Sequence, residues 1–201
     1  MSHCVLTPAW HDSDDEAPKN ADTVVINDNG TTSNGSVYTP IDDKNFYLDH
    51  VKYTVEYGLL EVSGYDDAAP NGAANIAAQV TLNGNTYAVI TIGIEAFYAC
   101  TGLTSITIPD NVVSLGNWCF AGCTQLTNLT LGSRLTNIGD QVFRGCPFLT
   151  AIHIKKETPI ELNNTFDPAV YLSAILYIPK GYIEAYKAAE HWSTFQNIIE
   201  E

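Results

Sequence analysis

Three successive stretches of this chain carry the same residues at the same spacing. Phe97, Cys100, Leu103, Ile106 and Ile108 return 23 residues later as Phe120, Cys123, Leu126, Leu129 and Leu131, and after a further 23 as Phe143, Cys146, Leu149, Ile152 and Ile154. A fixed period without slippage in its apolar slots marks a tandem array. One unit offers about five large apolar side chains, each contributing about 1.5–3 kcal/mol when buried. Ordering costs about 1.5 kcal/mol per residue, so a single copy cannot fold alone. Stacked copies can, because neighbours share apolar edges and backbone hydrogen bonds.

Within one copy, Leu103-Thr-Ser-Ile-Thr-Ile108 ends in the apolar and polar alternation of a strand with one buried face. Pro109 and Asp110 stop it, and Gly132 and Ser133 stop the second copy. Val112 to Leu115 reads as a second short extended piece, matched by Leu135 to Ile138. Gly93, Gly116 and Gly139 follow at equivalent positions and suit corners that want positive φ. The turn carrying Phe120-Ala-Gly-Cys123 is too short for a full helix and reads as a helical or 3₁₀ turn.

The run Cys100-Thr-Gly-Leu103-Thr-Ser-Ile106-Thr-Ile108-Pro109 through Leu115-Gly116-Asn-Trp-Cys119-Phe120 resembles the BspA-like leucine-rich repeats of bacterial surface and secreted proteins. Their unit reads C-x-x-L-x-x-I-x-[IL]-P-x-x-[VL]-x-x-[IL]-G-x-x-[AC]-F. Later copies depart from it only at the strand end, where Gly132 and Lys155 stand in place of proline. The resemblance implies a β-rich α/β fold: a right-handed leucine-rich repeat solenoid of 23-residue repeats with an N-terminal β-hairpin cap and a C-terminal strand-helix cap.

The expected organisation places the leucine-rich repeat domain at residues 45–201, with hairpins over 45–91, repeats over 92–158, and a degenerate repeat with the closing cap over 159–201. Val80 to Val89 reads as a hairpin around Asn83-Gly84, a type I′ turn signal, and Phe46 to Val55 with Leu59 to Val62 as another antiparallel pair. Phe166 stands 23 residues beyond Phe143, so a fourth coil made irregular by Pro159 and Pro168 joins the array to the cap. In that cap Leu176 to Ile178 supplies a last strand, and a short amphipathic helix from Tyr182 to Tyr186 leads to Trp192, Phe195 and Ile198. Such end pieces cover strand edges and exposed core. Residues 1–44, with the acidic cluster Asp12, Asp14, Asp15 and Glu16 and a polar run from Asn27 to Gly35, read as a largely disordered tether. A strand at Thr23-Val-Val-Ile26 packed on the hairpins is the alternative.

With 9 basic against 23 acidic residues, a formal net charge of −14, the chain has no basic stripe to hold nucleic-acid phosphates. Cationic partners, or calcium bridging the acidic tail, are easier to accommodate. No stretch approaches the roughly 20 apolar residues of a membrane span. Met-Ser-His-Cys lacks the basic region and apolar core of a leader. The resemblance nonetheless implies an extracellular or cell-surface protein, with a signal peptide expected outside this chain. Cys4 invites a lipid-anchor reading, but Ser2 and His3 are not the apolar and small pair that such a site wants.

Cys100, Cys123 and Cys146 fall on one line along the stack, about 4.8 Å apart if coils pair as parallel strands. Side chains on such strands stand side by side, so a ladder of small buried hydrophobes is expected rather than disulfides. Cys119 with Cys123 would be a poor metal pair, because Ala96 and Val142 occupy the slot of Cys119 in the neighbouring copies. No cofactor or metal is expected. Neither a phosphate-binding glycine loop nor a nucleophile elbow nor a His-Glu-x-x-His pair is present. Of the histidines, His3 and His11 fall in the tether, His50 in a leading strand, His191 beside the closing helix, and His153 at an outward slot of a repeat strand.

Alternate strand residues share a face, so Ser105, Thr107, Asn128, Thr130, Ala151 and His153 should line up on the sheet, with Tyr177 continuing the row. This is the candidate binding face. Three classes stay open. The resemblance implies a non-catalytic module for protein–protein interaction, adhesive toward host or matrix proteins. A glycan-binding or nutrient-handling accessory domain could use Tyr177, Tyr182 and Tyr186 as stacking platforms, and an enzyme, the weakest of the three, would draw on His153 or on Asp66 and Asp67.

Overall fold

The computed structural model describes residues 23–27, 32–66 and 68–201. Cys4, His3, His11, the acidic cluster and Asp67 lie outside them. In chain order the strands are β1 (Thr23–Ile26), β2 (Tyr38–Pro40), β3 (Asn45–Leu48), β4 (Val51–Glu56), β5 (Leu59–Tyr65), β6 (Gly72–Asn75), β7 (Gln79–Leu82) and β8 (Asn85–Ile92). The repeats add β9 (Leu103–Thr107), β10 (Ser114–Leu115), β11 (Asn128–Leu131), β12 (Asn137–Ile138) and β13 (Ala151–Ile154). Beyond them come α1 (Pro168–Ser173), β14 (Ile175–Ile178), α2 (Ile183–Ala188), a 3₁₀ turn at Trp192–Thr194 and β15 (Asn197–Glu200).

Two sheets result. One is wholly parallel in the order β15-β14-β13-β11-β9-β6. The other runs β1-β7-β8-β5-β4-β3-β2, with β10 and β12 continuing from β8. In both, partners across the repeats are 23 residues apart: Ile106 faces Leu129, Leu129 faces Ile152, and Ser114 faces Asn137. The rings of Phe97, Phe120, Phe143 and Phe166 stack in one file, with centroid spacings of 5.1, 5.4 and 5.4 Å and interplanar angles under 10°. Tyr65 continues the file at one end, while Tyr171 and Phe195 close it edge-on at the other. Leu103, Leu126 and Leu149 are fully buried beside it, as are the three aligned cysteines.

The cysteine column has a polar function as well as a packing one. The Cys123 thiol donates to the Phe97 carbonyl at 3.2 Å and Cys146 to the Phe120 carbonyl at 3.3 Å, each reaching the preceding coil. Cys100 does the same to Pro70 at 3.5 Å. All three are free thiols, as is the buried Cys119. Burial raises the Cys100 and Cys119 thiols above their usual range, whereas Cys123 is pushed up first by the neighbouring Cys146 thiol and then by burial.

The corner glycines act differently from expectation. Gly93, Gly116 and Gly139 do not have positive φ. Gly116 and Gly139 are required because the neighbouring coil passes too close: a Cβ on Gly116 would lie 2.5 Å from the Ile94 nitrogen, and one on Gly139 2.7 Å from the Asn117 nitrogen. Positive φ falls two residues later, on Glu95 (56°), Trp118 (55°) and Gln141 (54°), and again on Ala99, Gly122 and Gly145. The segment expected to be helical or 3₁₀ is accordingly a chain of hydrogen-bonded turns, such as Cys119 N–H to Gly116 and Cys123 N–H to Phe120. Left-handed residues at the third position of each turn prevent a helical repeat.

At the N-terminal end the Asn83-Gly84 hairpin forms as expected, both residues having positive φ. His50 lies in the turn joining β3 to β4 rather than in a strand. Of the segment read as a tether, residues 23–26 take the alternative, pairing with β7 as β1, and Tyr38–Pro40 pairs with β3. At the other end β14 is not the last strand, because β15 pairs along its outer edge. Tyr186 is fully buried and donates to the Lys156 carbonyl, and the Trp192 indole donates to Ile160.

Two stability measurements follow from this packing. Phe120→Ala removes a ring stacked on both sides and should cost about 3–5 kcal/mol in urea unfolding. Gly116→Ala forces a methyl into backbone and should cost about 1–3 kcal/mol. Native protein at pH 8 should leave Cys100, Cys119, Cys123 and Cys146 unalkylated by iodoacetamide, since buried neutral thiols lack both access and thiolate. Mass spectrometry should find all four labelled once urea is added.

Candidate functional site

The repeat strands put the outward residues into two rows. Ser105, Asn128, Ala151 and Ile175 are successive partners in one, while Thr107, Thr130, His153, Tyr177 and Ile199 are partners in the other. All seven residues expected on the sheet face stand in these rows. Asn75 of β6 extends the second row past Thr107, and Ile199 of β15 extends it past Tyr177.

Chemistry along the second row is graded. Thr107 and Thr130 are small hydroxyl slots, whereas His153 and Tyr177 stack face to face with centroids 4.3 Å apart and planes 3° from parallel. His153 Nδ1 lies 2.9 Å from the Glu201 carboxylate, which fixes the imidazole from the side. Ile199, 46% exposed, continues the apolar shelf. Aromatic planes braced in this manner offer contact area at little entropic cost.

The other end of the row opens into a cleft of about 450 Å³. Its walls include Thr107, Asp110 and Lys155 from the repeats, Asn75 from β6, and Ser36 with Asp49 from the leading segments. Lys155 Nζ and Asp110 pair at 3.3 Å across two coils, and Asp110 also accepts from the Ser133 N–H. Partial burial pushes the Asp110 carboxyl up, but the Ser133 N–H and the Lys155 charge together outweigh it and hold it below the ordinary range.

Other candidates are not brought together. Asp66 pairs with His50 at 3.0 Å on the hairpin side and is remote in sequence register from His153. Tyr186 is core and Tyr182 packs partly against the core, so Tyr186 is removed from the expected tyrosine platform. Among the described residues no group of three or more His, Cys, Asp or Glu side chains could hold a metal ion, and no helix is long and apolar enough to cross a membrane.

Sequence reasoning missed Ile199 and Glu201, which complete the shelf. The run Asn197-Ile-Ile-Glu200 carries a strand signal, but its place beside β14 depends on how α2 returns the chain. Asn75 was equally hidden, since Gly-Ala-Ala-Asn has almost no strand propensity.

The BspA type leucine rich repeat region matches residues 79–184 in six copies. A leucine-rich repeat protein from Bacteroides capillosus has 23% identity and a TM-score of 0.55, covering 79% of this chain and 99% of its own. A leucine rich cell surface protein from Faecalibacterium prausnitzii has 22% identity and a TM-score of 0.50, covering 81% of this chain and 43% of its own. No curated protein matches the chain. At such identities the two structures share the fold alone, whereas the repeat match spans half of the sequence, and this protein belongs to the BspA-type leucine-rich repeat family.

Proposed function

We propose that the protein is a non-catalytic binding module of the cell surface or the extracellular space, and that it captures a protein partner on its parallel sheet. Adhesion to a host or matrix protein is the use favoured by the family and by the cell-surface description of the Faecalibacterium neighbour. The array acts as a right-handed solenoid of 23-residue coils closed by a hairpin cap and a strand-helix cap, residues 45–201 forming the repeat domain.

The observation that carries the proposal is the braced His153–Tyr177 stack in line with Thr107, Thr130 and exposed Ile199. Interface energy concentrates in rigid aromatic anchors surrounded by smaller contacts. A row with hydroxyl residues at one end and an aromatic and aliphatic shelf at the other has that composition. Ser105, Asn128 and Ala151 supply the flanking surface. The Lys155–Asp110 pair supplies a polar rim, where charges steer association more than they strengthen it.

The test is capture of purified protein by a panel of immobilised matrix proteins. Thr130→Arg and Ile199→Asp should each weaken capture at least about tenfold, about 1.4 kcal/mol, while leaving the melting temperature within a few degrees. Undiminished capture by both variants would move the interface off this sheet. A hydrolytic or transfer activity that is lost in His153→Ala would replace the binding reading with an enzymatic one.

A further inference from the structure

A second surface lies on the turn side of the coils, away from the strand rows. There the 23-residue register produces three parallel slots. One holds Glu95, Trp118 and Gln141, the next Tyr98, Ala121 and Arg144, and the third Ala99, Gly122 and Gly145. These nine residues line one groove of about 500 Å³, within the usual range of about 300–1,000 Å³ for small-ligand sites. Trp118 is 38% exposed and Tyr98 53% exposed.

Neither ring is needed by the core. The Trp118 slot has positive φ in all three coils and is filled by Glu95 and Gln141 on either side, so the backbone does not ask for an indole. Tyr98 projects from a slot that carries Ala121 in the next coil and Arg144 in the one after. The Ala121 gap thus sits between a phenol and a guanidinium, on coils whose phenylalanine rings stack 5.1 and 5.4 Å apart. Trp118 walls it from the adjoining slot. Its floor is nearly free of side chains, being made of Ala99, Ala121, Gly122 and Gly145.

We infer that this groove binds a neutral saccharide. A pyranose ring is flat, with a face of C–H bonds and an edge of hydroxyls. The C–H face suits the electron-rich faces of Trp118 and Tyr98. The hydroxyl edge suits the planar polar groups of Gln141, Arg144 and Glu95, which can donate to or accept from neighbouring hydroxyls. Arg144 Nη1 already donates to Gln141 Oε1 at 2.7 Å, so the pair is held in place before any ligand arrives.

A peptide is a poor fit. Extended peptides gain affinity from free strand edges, but the backbone here is already committed. The N–H groups of Phe97 and Ala99 go to Cys119 and Ala121, and those of Phe120 and Gly122 go to Val142 and Arg144. Recognition therefore falls to side chains. An acidic sugar is disfavoured too, because Arg144 is shared with Gln141, Glu95 stands in the same groove and the chain carries a net charge of −14.

Isothermal titration with cellohexaose, xylohexaose, mannohexaose and laminarihexaose tests the site, with hexagalacturonate as the acidic control. At least one neutral oligosaccharide should bind with a dissociation constant of about 1 mM or tighter. Trp118→Gln, which places in the slot what the next coil already carries, should weaken that binding at least about tenfold without shifting the melting temperature. Tyr98→Ala should act likewise, whereas Thr130→Arg on the strand face should leave sugar binding unchanged. Trp192 is buried and Trp10 lies outside the described residues, so in a Trp10→Phe background quenching of exposed indole emission by the sugar should report Trp118. Several results would overturn the inference: no heat from any neutral probe, binding that Trp118→Gln and Tyr98→Ala do not alter, or preference for hexagalacturonate. Self-association abolished by Trp118→Gln without any response to sugar would assign the groove to a second copy of the chain.

Discussion

Each repeat of this protein has to rest on a near copy of itself at the distance set by parallel strand pairing, and the phenylalanine rings that follow this stacking stand 5.1 to 5.4 Å apart. Between the repeat strands β9, β11 and β13, and between β10 and β12, a residue is therefore paired with the residue 23 places away. Flat rings tolerate this by stacking, and thiols tolerate it by donating to the carbonyl of the coil before. Threonines do the same from the outside: Thr127 and Thr136 donate to Thr104 and Val113 of the preceding coil. Where the backbone itself approaches, only glycine is accommodated, as at Gly116, Gly132 and Gly139.

The same rule makes the ends of the stack its weak points, and each end is closed with different chemistry. At the start, antiparallel strands fold over the first coil, and Tyr65 lies on the Phe97 ring while its hydroxyl donates to the Tyr98 carbonyl. At the finish, Tyr171 and Phe195 meet Phe166 edge-on, which terminates the file because an edge cannot be stacked further. The buried Trp192 and Tyr186 pack beneath that closure, and β15 covers the edge of β14. Edge strands left open would otherwise invite pairing with other chains.

A fixed interior frees the remaining slots. On the strand side, the outward row can pass from threonine to histidine to tyrosine without disturbing the core. On the turn side, one slot alternates glutamate, tryptophan and glutamine over a backbone that stays the same. Function in such a molecule is written in the variation between copies, since whatever is common to all copies is already used to hold them together.

The spacing of Phe97, Phe120 and Phe143 was enough to place these rings in one file, to assign Cys123 and Cys146 to the interior and to set Thr107, Thr130 and His153 side by side, because a strict period allows only one relation between copies. The Asn83-Gly84 turn was equally plain, its chemistry being local. Other features depended on contacts that no local pattern encodes. Gly116 is required by the passage of Ile94, not by its own φ, and only the stacked coils reveal that collision. Ile199 and Glu201 reach the outward strand row because α2 and the 3₁₀ turn bring the chain back beside β14, and Tyr98 and Trp118 share a groove because coils that are separate in sequence lie one ring's thickness or so apart. Periodicity fixes what every copy has in common, whereas the places where unlike residues meet across coils exist only once the chain has folded.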